Sequence, residues 1–348
     1  MMLRGSHFAP KLARTLAQVY IVDGHRHLRH EASSITMNHD YEQEIIRKLI
    51  RLGQSNDAIR AVLLTSSLCN PNAPADILSD FDVELFFDDP TPFVESDEWI
   101  ETLGLGPIMA LWHWPNEWDE EPGSGRTWTR MVYYRDGTKM DISLAFLADL
   151  RELSSADALP DGYDIGYRVL VDKDGVTTSL KPPTYQAFIL KPPTQAQFTS
   201  RIETFWMDST YVARYLWRDD IVGAKWRLNC LTDGTLREML EWSVAMDRDW
   251  MWKPGWHGRG LSKALKPDAC AELIESYAAG SIADLWESLF RTTALYRKTA
   301  IKVAERLGYQ YPHDLDKRVT IYQQTVKSLN RQTGTREELA RLLRESYI

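Results

Sequence analysis

Three aspartates stand where metal-assisted chemistry would need them. Asp80 and Asp82 lie in SDFDVELFF (79–87), an aromatic and β-branched run that predicts a strand. Side chains two apart on a strand share a face, with Cα atoms roughly 6.5–7 Å apart. Two carboxylates so placed can converge on one hard cation such as Mg2+. The hydroxyl pair Ser66-Ser67 lies just upstream, between the apolar run 61–64 and a Pro/Asn-rich turn. Backbone N–H groups and hydroxyls at such a loop can cradle phosphate. Asp141 interrupts an otherwise apolar strand-like run, 138–146. A carboxylate buried alone there is costly, so it calls for a cation or hydrogen-bond donors. The set points to phosphoryl or nucleotidyl transfer. The competing reading is solvated aspartates at an edge strand beside ordinary turn serines, and spacing alone does not separate the two.

The elements that must position these groups follow from periodicity. Apolar residues Ile45, Ile46, Leu49, Ile50 and Leu52 recur at helical spacing over 40–52. A buried strand is expected over 58–64, then the Asp80/Asp82 strand, with Asp80, Asp82, Glu84 and Phe86 on one face. The stretch 88–101 is acidic and turn-rich and ends in a short helix, and 108–112 reads as another strand. Runs 128–135 and 138–146 flank Asp136-Gly137, the pair preferred in a two-residue type I′ hairpin turn. The stretch 160–193 is loop-rich, with Pro-Pro at 182–183 and 192–193, and a domain boundary is expected within it. Beyond it the pattern is helical over 195–219, 225–250, 281–308 and 335–347. Glu203, Trp206 and Tyr211 can share one helix face with Asp208 nearby, an acidic and aromatic surface suited to a guanidinium or amino sugar. The alternative is a helix core with a salt bridge.

Composition narrows the function classes. The chain has 348 residues, 44% of them hydrophobic, enough for two domains with their own cores. Eight of its 13 tryptophans fall between Trp206 and Trp286. A net charge of −8 argues against general nucleic-acid binding and favours steering a cationic small substrate. Cys69, Cys230 and Cys270 are widely spaced with no CxxC, which suggests neither a disulfide framework nor a zinc site. No run approaches ~18 apolar residues, so no membrane span is expected, and the cytoplasm is the default location. Residues 1–36 are basic and His-rich (His25, His27, His30), resemble no complete targeting signal, and read as a dispensable extension before Met37.

From about Met37 to Lys327 the chain resembles the aminoglycoside 6-adenylyltransferases, the streptomycin-modifying, antibiotic-resistance members of the nucleotidyltransferase superfamily. The resemblance rests on NPN (70–72), SDFDVELFF (79–87), WI (99–100), DGTKMDISLAFL (136–147), LVDKDG (170–175), ILKPPTQAQF (189–198), FWMDSTYVARYLWRDD (205–220), MLEW (239–242), HGRGL (257–261), LWESLF (285–290) and GYQYP (308–312), in family order. It implies an α+β protein: a mixed-sheet nucleotidyltransferase domain over 37–185, then an all-helical substrate-binding domain over 186–348. ATP and a cationic aminoglycoside would lie between them. Asp80, Asp82 and Asp141 would hold Mg2+, with Ser66, Ser67, Arg259 and Lys263 on the triphosphate. Glu203, Trp206, Asp208 and Tyr211 would face the antibiotic. The chain departs from the family at three places. It reads Ser66-Ser67-Leu68 where members read Gly-Ser-Arg, Asn229 where an acid is expected, and Glu84 where members carry an uncharged residue.

Overall fold

The computed structural model describes residues 39–72, 75–114, 127–277 and 280–346. The extension 1–36, with its histidines, lies outside the described residues. A six-stranded mixed sheet is followed by a set of helices, as the α+β reading expects. The first half runs α1 (His39–Ser55), β1 (Ile59–Thr65), β2 (Phe81–Phe87), α2 (Thr91–Glu95), α3 (Glu98–Glu101), β3 (Ile108–Trp114), β4 (Trp128–Tyr134), β5 (Lys139–Phe146), α4 (Leu147–Ser155), α5 (Asp161–Asp164) and β6 (Tyr167–Asp172). The second half is helical: α6 (Gln195–Trp217), α7 (Ile221–Cys230), α8 (Arg237–Met246), α9 (Leu261–Ala264), α10 (Pro267–Ser276), α11 (Ile282–Leu307), α12 (His313–Ser328) and α13 (Arg336–Ser346).

The sheet order is β3-β4-β5-β2-β1-β6. Only β2 and β5 run parallel; the other pairings are antiparallel. One face buries Val62, Leu64, Phe81, Val83, Leu85, Ile142 and Leu144 against Ile45 and Leu49 of α1. The opposite face has a smaller apolar cluster, with Ala61, Leu63, Phe86 and Ala145 under Leu147 and Leu150 of α4. That cover stops short of the polar end of the same face, where Asp82 and Asp141 sit. The helices build a separate core, with Phe205 stacked on Tyr296 at 3.5 Å between ring centroids.

Two local expectations change. The β4–β5 connection is not a two-residue type I′ turn. Gly137 N–H donates to the Tyr134 carbonyl (3.1 Å), Tyr134 N–H donates to the Thr138 carbonyl (2.9 Å), and within the loop only Gly137 has positive φ, +94°. This is a three-residue loop in which a type I turn ends on a left-handed glycine. Asp136 stabilises it by accepting from Thr138 N–H at 2.9 Å. The stretch 160–193 is largely loop, as its composition suggests, and also holds β6, which adds a strand to the free edge of β1. The helix expected over 225–250 is interrupted by a π-helical turn, Leu231–Leu236, between α7 and α8.

Candidate active site

Parallel pairing of β2 and β5 brings the carboxylates together. In that register Asp82 stands beside Asp141 and Glu84 beside Ser143, all on the face that α4 only partly covers. Asp80 immediately precedes β2. One residue links Asp80 and Asp141. Lys139, at the start of β5, directs its ammonium to Asp80 Oδ2 and, at 3.0 Å, to Asp141 Oδ2. It also lies 5.8 Å from the centre of the Tyr133 ring. No motif marks Lys139, yet its position two before Asp141 on a strand puts it on the carboxylate face.

The electrostatics of the cluster are those of an acid-rich site short of positive charge. Burial raises the Asp82 carboxyl from 3.8 to about 6; the Ser66 hydroxyl opposes this, Asp141 and Asp80 add to it, and Lys139 relieves it. Burial works against the Lys139 ammonium, but its bonds to Asp80 and Asp141 outweigh that cost and raise its pKa. Asp141 Oδ1 is buried without a hydrogen-bond partner. Leaving such an oxygen unmatched costs about 1–3 kcal/mol. Among the described residues no three acidic, His or Cys groups are gathered closely enough to ligate an ion, and the Lys139 ammonium stands between Asp80 and Asp141. The all-oxygen donor set, the orphaned Asp141 oxygen and the cation already drawn in all fit a hard divalent ion.

The loop after β1 carries a strained residue. Ser66 has φ +69°, a left-handed conformation that costs a side-chain-bearing residue roughly 1–2 kcal/mol. This is the position where the resemblance expects glycine, and the backbone adopts the glycine-type conformation regardless. Ser66 N–H donates to the Gly166 carbonyl at 3.0 Å. Gly166 fits closely beneath: a Cβ there would lie 2.6 Å from the Cys69 carbonyl oxygen. Leu68 packs toward the α1 face of the sheet, away from the carboxylates. Burial pushes the neighbouring Cys69 thiol up to about 11, so it is held as an unreactive thiol.

Glu84 sits farther along the same face as Asp82. It is partly buried and accepts a hydrogen bond from the Tyr163 hydroxyl of α5. Burial raises its pKa, the Tyr163 bond opposes this, and Asp82 adds to it. Its place on the Asp82 face was legible in the alternation of β2; its register opposite Ser143 and its partner Tyr163, from the Pro-rich stretch, were not.

The remaining anticipated residues are dispersed. Arg259 and Lys263 are exposed around the start of α9, and no hydrogen bond or ion pair joins either to the aspartates. On α6, Trp206 is fully buried between Phe205 and Tyr296, with Arg297 over its ring at 5.3 Å. It therefore presents nothing to a ligand, and its assignment to the substrate surface is corrected. Its place in the buried series Phe198, Ile202, Phe205, Trp206, Ser209, Val212 explains why. Glu203 is exposed. Asp208 is paired with Arg227 at 3.3 Å, and Arg227 and Arg214 lie over the Tyr211 ring at 5.3 and 5.6 Å. Asn229 is exposed near the end of α7.

A family model described as streptomycin adenylyltransferase matches residues 40–326. The chain belongs to that family. An aminoglycoside 6-adenylyltransferase of Bacillus subtilis (strain 168) is 30% identical over 282 residues, covering 81% of this chain and 96% of that protein. One from Campylobacter jejuni is 27% identical over 271 residues, covering 78% and 91%. A solved structure, an aminoglycoside 6-adenyltransferase from Bacillus subtilis, aligns over 82% of this chain and 97% of its own at 25% identity, with a TM-score of 0.41. This family member is a nucleotidyltransferase. The match ends at residue 326, before α13. Among the described residues no helix is long and apolar enough to cross a membrane.

Proposed function

We propose that the enzyme transfers AMP from ATP to a hydroxyl of a cationic aminoglycoside, with streptomycin as acceptor, and releases pyrophosphate. The observation that carries this reading is the register of β2 and β5, which sets Asp82 beside Asp141 with Asp80 and Lys139 at the same end. In the reaction the acceptor oxygen forms a bond to the α-phosphorus as the bond to the bridging oxygen of the pyrophosphate breaks. Such transfers depend on positioning and charge neutralisation. Asp80, Asp82 and Asp141 would hold Mg2+, which supplies charge neutralisation on the triphosphate. The hydroxyl proton passes to a carboxylate of this set, and the unpartnered Oδ1 of Asp141 would either complete a second metal site or accept that proton. Lys139 is placed to compensate phosphate charge once Asp80 and Asp141 engage a metal. Ser66 and Ser67 offer hydroxyls at the loop, and Arg259 and Lys263 would reach the triphosphate. The exposed Glu203 and Tyr211 suit a guanidinium-bearing ligand, whereas Asp208 must exchange Arg227 for it. In this reading 37–185 form the nucleotidyltransferase domain and 186–348 the acceptor-binding domain of an enzyme acting in the cytoplasm.

The test is mass spectrometry of streptomycin incubated with protein, ATP and Mg2+, with pyrophosphate measured in parallel. An added AMP on streptomycin supports the reading. Adduct on a different aminoglycoside alone retains the reaction and rejects the acceptor. A second reading, a family member that binds nucleotide without turnover, is favoured by the strained Ser66 where the loop calls for glycine. It predicts ATP binding with no adduct on any aminoglycoside.

A further inference from the structure

Outside the sheet, a cleft of about 560 Å3 lies between α6, α12 and α13. Its walls are apolar, with Trp217 from α6, Val326 from α12 and Leu339 and Leu343 from α13. Three arginines, Arg214, Arg218 and Arg336, also line it, together with the Tyr322 phenol; no acidic residue does. Among the described residues none of these arginines has a carboxylate within 4 Å, and the one interaction seen is Arg214 over the Tyr211 ring. All three act electrostatically on Tyr322: burial raises its pKa and the three guanidinium groups oppose that rise. The charges therefore converge on one spot. Arg336 also opens α13, whose first turn is capped by Thr335 accepting from Glu338 N–H at 3.1 Å.

In a chain of net charge −8, three exposed guanidiniums without a carboxylate partner among the described residues gather at one apolar cleft, and such a local positive patch draws in anions. The volume falls in the range of small-molecule sites, roughly 300–1,000 Å3. Guanidinium groups recognise phosphate by paired N–H donors, and a phosphate monoester carries about −1.5 to −2 charge at neutral pH. A carboxylate would leave most of the positive charge unmatched, and an inorganic ion would leave the apolar walls wet. We propose that this cleft is a second ligand site, separate from the adenylyl-transfer centre, that takes an organic phosphate monoester with an apolar body. The ester's head meets Arg214, Arg218, Arg336 and Tyr322, and its body lies along Trp217, Leu339 and Leu343. The α13 wall of the site, Arg336 to Leu343, lies beyond the residues the family model matches.

The experiment is calorimetric titration of the full chain with hexyl phosphate, and separately with inorganic phosphate and hexanol. Hexyl phosphate is expected to bind saturably with one site, more tightly than either of its parts alone. The exposed pair Arg218→Gln/Arg336→Gln should weaken it by about tenfold or more without changing the melting temperature. Leu343→Ser should weaken hexyl phosphate and leave inorganic phosphate little changed. Lack of saturable binding at millimolar ligand overturns the proposal. So does unchanged affinity in the arginine pair, which would place the ligand elsewhere. Equal affinity for inorganic phosphate would reduce the site to general anion attraction and also overturn it.

Discussion

Replacing Asp82 by Asn removes the most strained charge of the candidate active site and keeps its shape. In the folded enzyme the Asp82 carboxyl is raised by burial from 3.8 to about 6, with Asp141 and Asp80 adding to the rise. A carboxyl raised in this way contributes its full stability below about 3.8 and loses it as pH rises through about 6. Converted at ~1.36 kcal/mol per pH unit, holding Asp82 ionised costs on the order of 3 kcal/mol at pH 8. The amide also retains a partner for the Ser66 hydroxyl. Asp82→Asn should therefore be more stable than the parent by roughly 1–3 kcal/mol at pH 8, with the excess shrinking toward zero near pH 4. Urea unfolding followed by tryptophan fluorescence, in chelator and without nucleotide, measures this across the range. A difference that does not change between about pH 4 and pH 8 would refute the electrostatic account, and a less stable mutant at pH 8 would refute it outright. The same mutant should lose Mg2+-dependent ATP binding, which tests the metal assignment separately.

Lys139→Met should lower stability at pH 8 by about 1–3 kcal/mol, because Asp141 loses its partner, and should tighten Mn2+ binding without nucleotide, read by paramagnetic resonance. Unchanged Mn2+ affinity would mean that the ammonium does not compete for the carboxylates. Ser66→Gly relieves the positive φ but deletes the hydroxyl that steadies Asp82, so stability should change by less than about 1 kcal/mol. The inflection of the pH–stability curve should meanwhile move upward from about 6. Adding Leu68→Arg should cost packing, since Leu68 faces the α1 core, and a gain in ATP affinity from that double change would contradict the placement of the loop. Trp206→Ala should cost about 3–5 kcal/mol in denaturant unfolding, whereas Glu203→Ala should stay within about 0.5 kcal/mol.

Much of the site is written in local pattern. Alternation along 81–87 puts Asp82 and Glu84 on one face and Phe81, Val83 and Leu85 on the other, because side chains on a strand point in turn to opposite sides. The same rule marks Asp141 within 139–146, and helical spacing marks α1 and the long helices. Local pattern also held the evidence about Trp206: it falls in the buried stripe of α6, and only a looser grouping by angle set it beside Glu203. Strand pairing could not be read in this way. A parallel neighbour 59 residues away is chosen by the whole sheet, so the tertiary structure alone put Asp82 beside Asp141 and Lys139 against Asp80. The edge strand β6 has a weak pattern of its own and exists because β1 offers it an unpaired edge. The glycine-like φ of Ser66 is imposed by contacts with Gly166 and Asp82 that lie far off in sequence. Sequence fixed which residues could carry charge on one face; only the folded sheet decided which of them meet, because that depends on register between distant strands.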